Sequence, residues 1–364
     1  MPTIDEYWTK RSELLEERWN KEAKKLDARL KASYRRAFQE VNRDLRVYLT
    51  RKGFDYNELM MSLDSVERNE RKMSLIEFLA NLKDLDTNIA KRIAQDVNVH
   101  LDMKKLTRLD AISSEMLVKL GEKALDEDKE IREQMSKVYT QTLLLDKYEF
   151  MRMKINTPTY RINEKLIEDI LTYPWSGDNF SNRIWDNKQK LIKVLRQELT
   201  QGVIQGLHAD DVADRLKDKM NVSLRDAITL VHTETAYFYG KGTLDSYEEA
   251  QIEGYKLHVT YDRRTSPICR SLDASKVYRR DEASVGVNYP PLHIRCRTLA
   301  IPNFEGLSGP KYRWVRDNKD KSVKVEEASM SYEKYEKQFL DKPKEEKKTS
   351  ENPNDRFVKV EYRN

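Results

Sequence analysis

Apolar positions in the first fifty residues recur at a helical period. Leu15, Trp19, Ala23, Leu26, Leu30, Tyr34, Ala37, Val41, Leu45 and Tyr48 are separated by steps of 4, 4 and 3, repeated three times. An 11-residue repeat is about 3.67 residues per turn, which holds one apolar stripe on a nearly straight helix. At 1.5 Å per residue the stripe runs for roughly 50 Å. Its narrowness calls for one or two partner helices rather than a globular core. Helices later in the same chain can supply them, and an intermolecular coiled coil is the alternative.

The helical rhythm continues through SLIEFLANL from Ser74, DTNIAKRIAQDV from Asp86 and SSEMLVKLGEKAL from Ser113, each with apolar residues at i, i+3 and i+4. It breaks at Asn156–Pro158 and at Tyr173–Gly177, then resumes over Trp185–Gly202, Asp210–Lys219 and Ala227–Glu249. From Tyr255 to Asp262 the string YKLHVTYD alternates as a strand does, and Lys276–Tyr278 and Thr298–Ile301 supply two more short strands. The expected fold is mainly α. An elongated helical scaffold covers residues 1–155 and a helical linker domain covers 156–223. A small α+β module occupies 224–316, and a mobile charged tail occupies 317–364. The tail's KPKEEKKTSENPND has too few apolar residues to pack, and FVKVEY at 357–362 reads as a docking strand.

Composition narrows this picture. Hydrophobic residues make up 38% of the 364 residues and charged residues 35%, the thin apolar complement of an elongated helical protein spread over two or three domains. No window approaches the apolar length of a membrane span. The opening MPTIDEYWTKRSELLEERW is charged almost from the start, without a signal-like apolar region, which points to synthesis in a reducing compartment. Charge is uneven: residues 255–316 carry twelve Lys and Arg against five Asp and Glu, a surplus larger than the whole chain's +5. With Tyr261, Tyr278, Tyr289 and Tyr312 interleaved, this stretch suits sequence-independent contact with nucleic acid through Arg263, Arg270, Arg279, Arg280 and Arg295. A solvated basic surface, or one that meets an acidic protein, would use the same charges.

Specialised chemistry is confined to Tyr261–Arg297, which holds both cysteines. Asp262, Cys269, His293 and Cys296 are spaced D-x6-C-x23-H-x2-C. A pair separated by two residues, His293 and Cys296, can reach one metal from a single turn, and zinc accepts two thiolates, an imidazole and a carboxylate. A Cys269–Cys296 disulfide and a pair of buried, metal-free thiols are the other two readings. The chain lacks a Gly-rich phosphate loop, G-x-S-x-G and H-E-x-x-H.

Three blocks in this region resemble the C-terminal module of the phage head-morphogenesis family, the minor head proteins of tailed bacteriophages that include the Mu-like minor head protein. The first is RDAITLVHTETAYFYGKG, with Arg225, Thr233 and Glu234 at the family's arginine and Thr-Glu positions. The second is Asp262, Arg264, Thr265 and Cys269, followed by Leu272 and Asp273. The third is Pro290, Pro291, His293, Cys296 and Arg297, similar to the family's P-P-x-H-x-x-C-R signature. Ala274 stands where a glycine usually follows Leu-Asp, and Thr298 where many relatives have a further cysteine. WSGDNFSNRIWDN from Trp175 also resembles versions from phages of Gram-positive hosts.

The resemblance implies a non-enzymatic virion component made in the bacterial cytoplasm and carried in the head interior or near the portal. Its implied partners are the portal protein, the scaffolding and major capsid proteins and packaged double-stranded DNA, with no membrane; self-association into a homo-oligomer is a further expectation. A structural Zn²⁺ is the one cofactor expected. The rival reading is a metal-dependent hydrolase, a nuclease, with metal on Cys269, His293 and Cys296, Glu234 or Asp262 as base, and His232 or His258 as acid or base. Thr233 and Glu234 are expected to anchor the neighbouring loop, Glu234 through an ion pair to Arg264 or Arg297.

Overall fold

In the computed structural model, the described residues are 4–52, 56–83, 85, 87–103, 106–155, 157, 164–304, 313–317 and 322–325, with Lys334 and Gln338. The chain is mainly α, as its periodicity predicts. Helix α1 (Ile4–Lys52) is the long amphipathic helix. Its stripe from Leu15 to Leu45 is buried throughout, at 9% exposure or less. The partners come from within the chain: α1 packs on α5 (Arg108–Arg152) and α8 (Ala209–Glu249), with α7 (Phe180–Ile204) completing a four-helix core. Shorter helices α2 (Tyr56–Met60), α3 (Ser65–Lys83), α4 (Asn88–Leu101) and α6 (Glu164–Thr172) border it.

Local chemistry sets the helix starts. Thr107 Oγ1 accepts from the Asp110 backbone N–H while the Asp110 carboxylate accepts from the Thr107 backbone N–H, a capping box that opens α5. Asn179 caps α7 and the His208 side chain caps α8. Helix α8 passes unbroken through residues 223 and 224, where the sequence reading begins its α+β module. A buried ion pair lies inside the bundle. Lys188 Nζ donates to Glu127 Oε2 at 2.5 Å and to the Tyr34 hydroxyl, joining α1, α5 and α7 in a fully buried triad. The pairing is what makes burial of these charges tolerable.

The expected strands form a three-stranded antiparallel sheet of order β2-β1-β3: β1 (Gly254–His258), β2 (Val277–Arg279) and β3 (Leu299–Asn303). All five β1 residues are buried, because the sheet packs on the first turns of α1 and the ends of α5 and α8. Trp8 stacks on Phe150 at 4.9 Å within the core that also holds Tyr247, Tyr255 and Leu257. Lys256 pairs with Asp5 across 3.4 Å, both buried. Of the tail read over 317–364, Ser322–Val325 is a strand, β5, paired antiparallel with β4 (Arg313–Arg316). Nearly all the rest, including the docking strand 357–362, lies outside the described residues.

Candidate metal centre

Two loops next to the sheet bring the cysteines together. Ser266 accepts from the Cys269 backbone N–H and Pro267 begins the short helix α9 (Pro267–Arg270), which fixes Cys269 on one turn. On the other loop, Cys296 N–H donates to His293 O at 3.1 Å. Arg295 between them takes a positive φ of 56°. The loop is seated on α8, where a Cβ added to Gly240 would lie 2.9 Å from Pro290 O. Thr233 accepts from the Arg295 backbone N–H at 3.2 Å, the loop-anchoring role expected of it.

The donor atoms of Cys269, His293 and Cys296 lie within 4.8 Å of one another. The sulfurs are 3.9 Å apart and unbonded, close to the roughly 3.8 Å that two thiolates span on a tetrahedral zinc with 2.3 Å bonds. His293 Nε2 is 3.0 Å from Cys269 Sγ. His293 Nδ1 lies 2.8 Å from Ile294 O; a carbonyl can only accept, so Nδ1 carries a proton and Nε2 is the ring nitrogen that faces the sulfurs. Ser266 Oγ, 2.8 Å from Nε2, and Thr298 Oγ1, 3.1 Å from Cys269 Sγ, complete the surroundings. The two thiols share a proton: the hydrogen bond from Cys269, with backbone N–H groups of the loop, lowers the Cys296 thiol against its burial, and the same hydrogen bond with burial raises the Cys269 thiol. The donor set fits a zinc ion.

Asp262 is not part of this set. Arg297 donates to both of its oxygens at 2.6 and 2.7 Å, and Arg264 N–H adds a third bond at 2.8 Å. Burial raises this carboxyl and Arg297 more than offsets it, leaving it at about 2. A carboxylate so occupied is a clamp that ties the Cys269 loop to the Cys296 loop. Glu234 departs from expectation as well. Its Oε2 accepts from Trp175 Nε1 at 2.9 Å, and no described residue pairs with it as a cation. Arg225 is exposed on α8, eight residues before Thr233, and joins no part of the site. His232 is bonded to Asp27 and the buried His258 to Glu13, so neither is free.

The expected nucleic-acid surface is dispersed. Arg264, Arg295 and Arg297 line a cleft of about 730 Å³ against α1, but Glu13, Glu16, Glu17 and Asp27 line its other wall. Arg279 pairs with Asp281, Arg270 donates to Thr265 O, Arg263 is exposed and Arg280 is half-buried. Tyr261 and Tyr289 are 2% and 0% exposed, so they offer no stacking face; Tyr278 stacks on Tyr255. Tyr312 lies outside the described residues. The sequence reading missed Ser266, Thr298 and Trp175. Ser266 was legible as an N-cap before Pro267; the other two depend on tertiary placement.

Residues 193–301 match the family model described as phage Mu protein F like protein. An NAD(+)--arginine ADP-ribosyltransferase EFV of Enterococcus faecalis is 23% identical over 177 residues, which cover 44% of this chain and 35% of that protein. The chain thus spans about a third of that relative's length. No solved structure gives a significant match. The matched segment contains all three sequence blocks and the whole Cys269, His293 and Cys296 cluster, and over that segment, about a third of its length, the chain is similar to the phage Mu protein F like family.

Proposed function

We propose that this chain is a non-enzymatic minor head protein that enters the virion during head assembly, with a structural zinc held by Cys269, His293 and Cys296. The observation that carries this reading is the convergence of two thiols and an oriented imidazole in the segment that matches the head-morphogenesis family. Bound there, zinc would cross-link two loops that the chain otherwise joins through Thr233 and the Asp262–Arg297 clamp. The helical bundle would supply contacts to the portal and procapsid, and the exposed Arg263 and Arg295 a contact to packaged DNA.

Residue chemistry favours the structural role over hydrolysis. A hydrolytic site needs a base free to take a proton from water. Asp262 is occupied by Arg297, Glu234 is 1% exposed beneath Trp175, out of reach of bulk water, and His232 and His258 are bonded to carboxylates. Metal analysis by inductively coupled plasma mass spectrometry on protein purified without added metal tests the reading. About one zinc per chain is expected, with loss of zinc and a lower melting temperature in His293→Ala and Cys296→Ser. Metal-free protein with two reactive thiols would remove the zinc. Nuclease activity abolished by the same variants would overturn the non-enzymatic assignment.

A further inference from the structure

Helix α3 has two apolar faces. Leu75, Phe78 and Leu82 are buried, on the side packed against α4 and α5. Across the helix, Val66, Met73 and Ile76 are 64, 65 and 42% exposed; Asn69, Ala80 and Lys83 on the same side are exposed too. These six positions are separated by steps of 3, 4, 3, 4 and 3. That is the seam of a heptad, with Val66, Met73 and Ala80 at a and Asn69, Ile76 and Lys83 at d. The same segment holds exposed Met60, Met61 and Met103, so four of the five exposed methionines among the described residues lie between positions 60 and 103. Exposed apolar side chains at a regular seam spacing, with exposed methionines in the same part of the chain, mark a contact site.

We propose that this stripe is the seam of a parallel two-helix contact between two copies of this chain. Charge selects both the occupant and the orientation. Glu70 and Glu77 take the e positions and Lys72 a g position, all exposed. In a parallel pair a g residue faces the e residue of the following heptad, so Lys72 of each copy meets Glu77 of the other. In an antiparallel pair e faces e, which sets Glu70 against Glu77 and is repulsive. Asn69 and Lys83, at d, each meet their own counterparts across the two-fold axis; the Lys83 pair is repulsive and both polar positions weaken the contact, so the attraction rests on Val66, Met73, Ile76 and the Lys72–Glu77 pairs. The contact is isologous and closes at two chains. Two and a half heptads with two polar d positions make a weak seam, with dissociation in roughly the micromolar-to-millimolar range.

Sedimentation equilibrium of the full-length protein tests this, with apparent mass rising from one chain to two across that concentration range. Because the positions are exposed, Met73→Glu combined with Ile76→Glu should leave the circular dichroism spectrum unchanged while weakening dimerisation at least tenfold. Lys72→Glu should weaken it, and adding Glu77→Lys should restore it. Ala80→Cys should form an interchain disulfide under mild oxidation, because two a residues face each other only in a parallel pair. A single chain at every concentration overturns the proposal, as does a dimer indifferent to the Met73 and Ile76 changes. A chain that is monomeric alone, but whose stripe variants fail to enter heads, would assign the surface to another partner.

Discussion

Glu234 is a buried carboxyl with half its acceptor capacity unused: Oε2 accepts from Trp175 Nε1, while Oε1 has no partner. Desolvation raises it from 4.5 to about 7, against smaller opposing contributions from Trp175 and Arg183. For an acid whose folded value is raised, the folded state binds the extra proton. Stability is therefore highest below the unfolded value, falls as pH rises from about 4.5 to about 7, and stays low above that. The shift corresponds to a loss on the order of 3 kcal/mol across the window. Sequence reasoning expects Glu234→Gln to unfold the module by breaking an ion pair. Having no such pair to lose, Gln keeps an acceptor for Trp175 and removes the titration. Between pH 5 and 8 the melting temperature of the native protein should fall relative to that of the variant as pH rises, because other titrating groups act on both alike, leaving Glu234→Gln the more stable above pH 7. Equal slopes for both would place the titrating group elsewhere.

Close approach at helix α8 decides how the elements fit. A Cβ on Gly242 would lie 2.8 Å from the Tyr139 carbonyl oxygen on α5, and one on Gly240 would lie 2.9 Å from Pro290 O. Both neighbours are backbone atoms, which cannot swing away. Gly242→Ala should cost about 1–3 kcal/mol by forcing α5 and α8 apart, read as a lower denaturation midpoint. Gly240→Ala should cost a similar amount and loosen the Pro290 loop, so that Cys296 reacts faster with a thiol reagent at a temperature where the helices are intact. Loss of helix signal before any change in thiol reactivity would contradict that assignment. These contacts also mark how far the sequence could be read. The α1 stripe, the three sheet strands and the Cys269, His293 and Cys296 grouping follow from spacing and residue type, because periodicity and ligand chemistry are local properties. The choice of Arg297 as partner for Asp262, and of Trp175 for Glu234, was not legible, since charges close in sequence offer several equivalent pairings and only tertiary packing selects among them. Burial of Tyr261 and Tyr289 is hidden for the same reason: an aromatic side chain in a basic segment serves a core as well as a surface.

At the scale of the whole molecule, the N-terminus is part of the C-terminal core. Asp5 pairs with Lys256 and Glu13 with His258, and Trp8, 1% exposed, stacks on Phe150 in the cluster that also contains Cys269 and Cys296. Deleting residues 1–150, a natural way to test which half enters the head, would therefore strip the sheet of its cover, and failure to assemble would report unfolding rather than a lost contact. Trp8→Ala separates the two. Truncating a fully buried tryptophan costs about 3–5 kcal/mol, and the loss falls at the base of the sheet. Thermal unfolding followed by far-ultraviolet circular dichroism and by thiol reactivity should show both signals moving together to a lower temperature, because Cys269 and Cys296 share a core with Trp8 although they lie at the far end of the fold in sequence. A variant whose helices melt early while both thiols stay protected would show the opposite, a module that folds without α1, and would return the truncation to use as a clean test of head incorporation.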